Sequence, residues 1–193
     1  MSISRGFADE ERPRIAALYW EAFGEKLGRV MGPRARALGF LQDVMDPAHA
    51  ITMRNPAGEL LGLVGFKTYE GAFVGGGLGD MTRHYGRLGG TWRAGMLALL
   101  EREVENHRFL MDGIIVAPED RGRGIGTALL DAIAKEAAGR GYSELRLDVI
   151  DSNPRARALY ERQGFVPGGE HRLGVLRHVF GFRSATTMIR RVG

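Results

Sequence analysis

Val116-Ala-Pro-Glu-Asp-Arg-Gly-Arg-Gly-Ile-Gly-Thr127 is the stretch whose reading decides the fold. Before it, residues 109–116 are nearly all apolar, the pattern of a strand buried on both faces. After it, residues 127–139 place Leu130, Ile133, Ala134 and Ala137 at helical spacing, and Gly139 and Gly141 suit the helix end. The turn between them carries glycine at 122, 124 and 126, which removes side chains where backbone approaches a ligand. Amides of such a turn and of the first helical turn point outward at the positive end of the helix dipole, which suits a pyrophosphate. Arg121 and Arg123 add positive charge beside it. Glycines after a strand also make tight turns with no ligand at all. The third glycine of the dinucleotide fingerprint is missing, and no Lys-Ser/Thr pair follows as in a phosphate-binding loop.

Working outward, residues 144–150 alternate Leu145, Leu147 and Val149 with polar neighbours, a half-buried strand. Asn153-Pro154 opens another helix with proline at its first position, Gly164 closes it, and Phe165 starts a strand. Residues 186–192 read as the final strand. Towards the N-terminus, residues 2–7 read as a strand, and Asp9 caps a helix with Ile15, Leu18, Tyr19 and Ala22 on one face and Gly24 near its end. A second helix is expected over 33–44. Strands over 50–54 and 60–69 form a hairpin about the turn Asn55-Pro56-Ala57-Gly58. Residues 70–90 are glycine-rich: a flexible connection, or a segment gating a substrate site. Thr91 then reads as the N-cap of a helix whose Trp92, Met96, Leu99, Leu100 and Val104 form a core stripe. Helices and strands interleaved in this way give an α/β class on a mixed sheet.

A chain of 193 residues with 44% hydrophobic and 26% charged side chains suits one globular domain over residues 1–193. The apolar runs fall far short of the roughly 20 residues that cross a bilayer. MSISRGFADEERP holds no apolar segment, so a cytoplasmic protein without a signal peptide is expected. The absence of cysteine excludes disulfides, thiolate metal sites and a cysteine acyl-enzyme. The five histidines are scattered, with no pair spaced to hold a metal, and none is assigned to one. A net charge of +4 suits an anionic small ligand and slightly favours a neutral or acidic second substrate. Basic residues do not interleave with aromatics as single-strand binders require, so neither nucleic acid nor membrane is an expected partner.

Arg121-Gly-Arg-Gly-Ile-Gly126 and Ser152-Asn-Pro-Arg-Ala-Arg-Ala-Leu-Tyr-Glu-Arg-Gln-Gly-Phe165, in this order and spacing, resemble the two signatures of the GNAT superfamily of acyl-CoA-dependent N-acyltransferases. The resemblance implies a central, mixed, mostly antiparallel sheet of six to seven strands flanked by helices, with a splayed strand pair holding the cofactor. It implies that the backbone of Ile114, Ile115 and Val116 pairs with the pantetheine arm of acetyl-CoA. The pyrophosphate would sit on the amides of Gly122, Arg123, Gly124, Ile125, Gly126 and Thr127, next to Arg121. Asn153 would hydrogen-bond the pantetheine, and Tyr160 would stand beside the thioester sulfur.

The chemistry says why these residue types are wanted. The acceptor amine must lose a proton, the oxyanion needs a donor such as the Val116 amide, and the leaving thiolate needs an acid. Tyr160 suits the last task. Asp148 aligns with the glutamate general base of a branch acetylating ribosomal-protein N-termini, although aspartate is one methylene shorter. A charge on the open sheet face, or a partner for a nearby arginine, is the other reading of Asp148. Glu103, Glu105 and Asp112 are further candidates, and water can carry the proton instead. Transfer of acetyl to an amine of a small molecule or peptide in a ternary complex is the implied function. A catalytically silent acyl-CoA sensor is the alternative, and a homodimer pairing through the final strand is the implied assembly.

Overall fold

A computed structural model describes residues 1–99, 104 and 108–192. Leu100, Glu103 and Glu105 therefore lie outside the described residues. Seven strands form one sheet: β1 (Ser2–Arg5), β2 (Ala50–Arg54), β3 (Leu60–Lys67), β4 (Arg108–Val116), β5 (Glu144–Ile150), β6 (Val166–Arg172) and β7 (Ser184–Arg191). Their order is β1-β2-β3-β4-β5-β7-β6, and every neighbouring pair is antiparallel except β4 and β5. β7 is flanked on both sides, so the final strand is not the edge expected to pair across a dimer. The edges are β1 and β6.

Alternation along the strands feeds two cores. Val64 of β3, Ile114 and Val116 of β4, and Leu145, Leu147 and Val149 of β5 face helix α5 (Ile125–Gly139), which contributes Leu129, Leu130, Ile133 and Ala137. On the opposite face, Leu63 and Ile115 meet α1 (Arg12–Met31) and α2 (Arg34–Val44) through Ile15, Leu18, Phe40 and Leu41. Each fully buried Leu or Ile stabilises the fold by about 1.5–3 kcal/mol. A third cluster of Val30, Phe180, Phe182 and Ala185 ties the short α7 (Arg177–Phe180) to the end of α1.

The expected boundaries need three corrections. Asp9 opens a 3-10 turn rather than capping α1, and α1 passes Gly24 to end at Met31. A Cβ at Gly24 would lie 2.9 Å from the Trp20 ring, so this glycine serves packing and not helix termination. Residues 70–90 are not one loop: they contain α3 (Leu78–Tyr85) and the start of α4 (Arg87–Ala98). Asp80 caps α3 by accepting from the Gly77 amide, and Met81 and Tyr85 are its buried residues. Gly86, at φ 74°, makes the corner between these helices. Gly90 lets them close, because a Cβ there would lie 2.6 Å from Thr82 Cα. Thr91 accordingly sits inside α4, donating to Arg87 O at 2.8 Å. Of the core stripe assigned to this helix, Met96 packs on the third cluster, but Trp92 and Leu99 are 52% and 55% exposed, and Ala94 and Leu97 face the second core instead.

β4 is buried on both faces only at Phe109, Leu110 and Met111. Its pairing with β3 steps from Phe66↔Met111 to Gly65↔Gly113, leaving Asp112 as the extra residue of a β-bulge. Bulges bend the strand that carries them. The bend falls just past the last β4–β5 pair, Leu110↔Arg146, and beyond it the two strands part. This is the splayed pair that the sequence resemblance implies.

Candidate active site

The parted strands divide the site into a backbone half and a cavity half. In the backbone half, β4 runs through Ile114, Ile115 and Val116 with β3 on one side and no strand on the other. A 3-10 turn over Pro118–Asp120 follows, and Gly122 and Gly124 both adopt left-handed φ, 83° and 80°. Nothing lies within 4 Å of where a Cβ would stand on either, so conformation, not crowding, demands glycine there. No side chain caps α5, and Ala128 is the first of its residues bonded back, to Gly124 O at 3.0 Å. The amides of Ile125, Gly126 and Thr127 therefore head the helix as donors.

Gly126 has a different reason for being glycine: a Cβ would meet Leu159 Cδ2 at 3.2 Å and Val116 Cγ2 at 4.0 Å. The head of α5 thus packs on α6 (Pro154–Arg162) and on the end of β4. The two arginines differ in what they touch. Arg123 is ion-paired with the buried Asp120 carboxylate. Arg121 donates to Val116 O at 3.2 Å and stands 3.9 Å from Glu21.

Asn153 is the N-cap of α6, its Oδ1 accepting from the Ala156 amide at 3.1 Å. Tyr160, two turns on, is only 6% exposed and packs against Phe165 at 5.8 Å between ring centroids. Burial pushes its hydroxyl well above the usual tyrosine value. Asn153 is exposed, whereas Tyr160 sinks into the first core.

The cavity half opens on the opposite face of the sheet, with a volume of about 750 Å³. Asp148 and Ile150 reach it from β5, and Asp112 from the bulge of β4. Asp148 points away from the core face of Leu147 and Val149, as alternation requires, and accepts from the Thr187 hydroxyl. Its other oxygen stands 3.7 Å from Arg146, so Asp148 is both a cavity carboxylate and an arginine partner. Tyr19 lies nearby; burial first and the Asp112 charge second push its hydroxyl up. No cluster of His, Asp or Glu suited to a metal occurs among the described residues.

In the sequence, residues 70–90 have the reading of a segment gating a substrate site beside that of a flexible connection, whereas the walls and His49 have no site reading. Residues 70–78 form its rim, and α1 and α2 supply its walls. His49 is buried and bridges Asp46, at 2.7 Å, to Thr68, at 3.1 Å. Because the carboxylate only accepts, Nδ1–H donates to Asp46, and Nε2 accepts from the Thr68 hydroxyl. Thr68 also accepts from the Glu70 amide at 3.1 Å, so the bridge fixes the start of the rim. Only α3 left a readable signal: Asp80 at a capping position, with Leu78, Met81 and Tyr85 at helical spacing.

Comparison with known proteins agrees with this geometry. A thialysine N-epsilon-acetyltransferase of Bos taurus is 44% identical over 54 residues, 28% of this chain and 32% of that enzyme. The matched stretch thus spans about a third of that relative. An N-acetyltransferase structure from Staphylococcus aureus Mu50 superposes at a TM-score of 0.67 with 15% identity, covering 98% of this chain and all of that one. A GNAT family acetyltransferase from Elizabethkingia anophelis, solved with acetyl-CoA bound, covers 74% of each chain at a TM-score of 0.51 and 12% identity. No described helix is long and apolar enough to cross a membrane. The model of the acetyltransferase (GNAT) family matches residues 12–165, and the chain belongs to that family.

Proposed function

We propose that this chain is an acetyl-CoA-dependent N-acetyltransferase, a single cytoplasmic domain over residues 1–193 that acetylates an amine by direct attack. The observation that carries it is the parting of β4 from β5 immediately before an uncapped, glycine-headed α5. A strand side without a partner strand offers hydrogen bonds to an amide-bearing arm, here from Ile114, Ile115 and Val116. The helix head offers amide donors to a pyrophosphate, from Gly122, Arg123, Gly124, Ile125, Gly126 and Thr127. Arg121 and Arg123 stand beside that head. Asn153 keeps its Nδ2 donor for the pantetheine while Oδ1 caps α6.

The reaction then runs across the strand gap. Asp148 takes the proton of the amine, whose lone pair attacks the thioester carbonyl carbon. The Val116 amide stabilises the resulting oxyanion. As the C–S bond breaks, Tyr160 gives its hydroxyl proton to the leaving sulfur. Tyr160 is protonated at every working pH because burial disfavours its phenolate. A silent sensor would need the backbone cradle but neither Tyr160 nor a cavity holding Asp148.

The test is thermal melting with and without acetyl-CoA, together with thiol release over a panel of amines. Acetyl-CoA at 100 times its Kd should add about 2.7 kcal/mol of stability. Gly124→Val, forced into φ 80°, should lose that shift. Normal acetyl-CoA binding by this variant would refute the pyrophosphate assignment, and binding without thiol release on any amine would favour the sensor.

A further inference from the structure

We propose that the acceptor is a primary amine on an apolar body, entering ammonium-first between Asp112 and Asp148; this rests on the acyltransfer reading above. Leu110 and Arg146 are the last paired residues of the parallel strands, and Asp112 and Asp148 each follow two residues on, where the strands have parted. Both line the cavity, and Glu70 joins them at its rim. Lys67 is the one cation among the described lining residues. Among the described residues the lining carries three carboxylates to one lysine, and even with Arg146 3.7 Å from Asp148 its net charge is negative where the chain as a whole is basic, which reverses the expectation drawn from bulk charge. A carboxylate on each strand suits an ammonium far better than an acidic acceptor.

Much of the remaining wall is apolar, with Thr68 and Tyr69 adding hydroxyls near the rim. Tyr19, Phe23 and Leu27 come from α1, Phe40 from α2, Met81 from α3 and Leu97 from α4. These side chains reward burial of hydrocarbon. A cavity of about 750 Å³ has room for an aryl-alkyl or alkyl chain. The carboxylates at the gap and the apolar wall behind them fix the orientation, with nitrogen towards β4 and β5 and carbon towards the helices.

The test uses the whole chain with 2-phenylethylamine, ethanolamine, L-aspartate and the uncharged isostere 2-phenylethanol. Thiol release gives kcat/KM, and calorimetry without acetyl-CoA gives binding independently of catalysis. We expect 2-phenylethylamine to exceed ethanolamine and aspartate by at least about 100-fold in kcat/KM and to bind in the calorimeter. Asp112→Asn, at an exposed residue, should weaken 2-phenylethylamine binding by about tenfold and leave the alcohol unchanged. Leu27→Ser should narrow the preference over ethanolamine by about tenfold. Equal use of ethanolamine or aspartate, or no binding of 2-phenylethylamine, would overturn the acceptor class while an intact acetyl-CoA shift kept the acyltransfer reading. Loss of the acetyl-CoA shift with the amine still bound would do the reverse.

Discussion

Replacing Tyr160 by phenylalanine removes one oxygen and keeps the ring that packs against Phe165. No hydrogen bond ties that hydroxyl to another described residue. The packing loss is therefore nil, and stability should change by less than about 1 kcal/mol. Melting temperature and acetyl-CoA affinity should stay close to the parent values. Turnover is another matter: a general acid contributes about 10²–10⁴-fold, equal to about 2.7–5.4 kcal/mol at roughly 1.36 kcal/mol per decade. The assay is thiol release at saturating acetyl-CoA and amine, with a melt and an acetyl-CoA titration on the same preparation. Because burial raises the hydroxyl above its usual value of about 10, the parent should show no loss of rate from Tyr160 ionisation below that pH. Full turnover in the folded variant would leave Tyr160 as a core residue only, and the acid assignment would fall.

Two further outcomes are expected. Asp148→Asn should lower turnover, with Thr187 still able to bond the amide; unchanged turnover hands the proton to Asp112 or water. Glu11 is held below the usual carboxylate range first by the Arg54 guanidinium, which donates to it at 3.0 and 2.6 Å, and then, against the opposing effect of burial, by the Ala8 amide. Since its folded value is depressed, its contribution is complete above the unfolded value of about 4.3 and is lost as pH falls below it. Glu11→Gln should thus destabilise by about 1–3 kcal/mol near pH 7 and make little difference near pH 3, as read by denaturant melts at both pH values. A constant gap across that range would mean the pair acts by shape and not by charge.

Much of the backbone half of the candidate site was legible because its conformation depends on neighbours in sequence. A left-handed turn needs glycine at 122 and 124 whatever surrounds it, Asn153 caps the helix three residues ahead, and alternation turns Asp148 away from Leu147 and Val149. Such demands are met within a few residues, so they leave local patterns. The glycines of residues 70–90 misled for the opposite reason. Gly90 is small because Thr82 of another helix presses on it, and Gly71 because the His49 ring lies where its Cβ would be. A sequence shows that a residue is small without showing what approaches it.

The sequence by itself determined the family, the order of the strands, the helix-head amides and the candidates Asp148 and Tyr160. The tertiary structure decided what faces what. A single extra residue, Asp112, in the β3–β4 ladder bends β4 away from β5 and sets two carboxylates at the mouth of one cavity. Helices distant in sequence then wall that cavity with hydrocarbon, against the sign and polarity that bulk composition suggests. Backbone conformation is a property of a few consecutive residues, whereas a cavity is what remains between elements once their packing is settled.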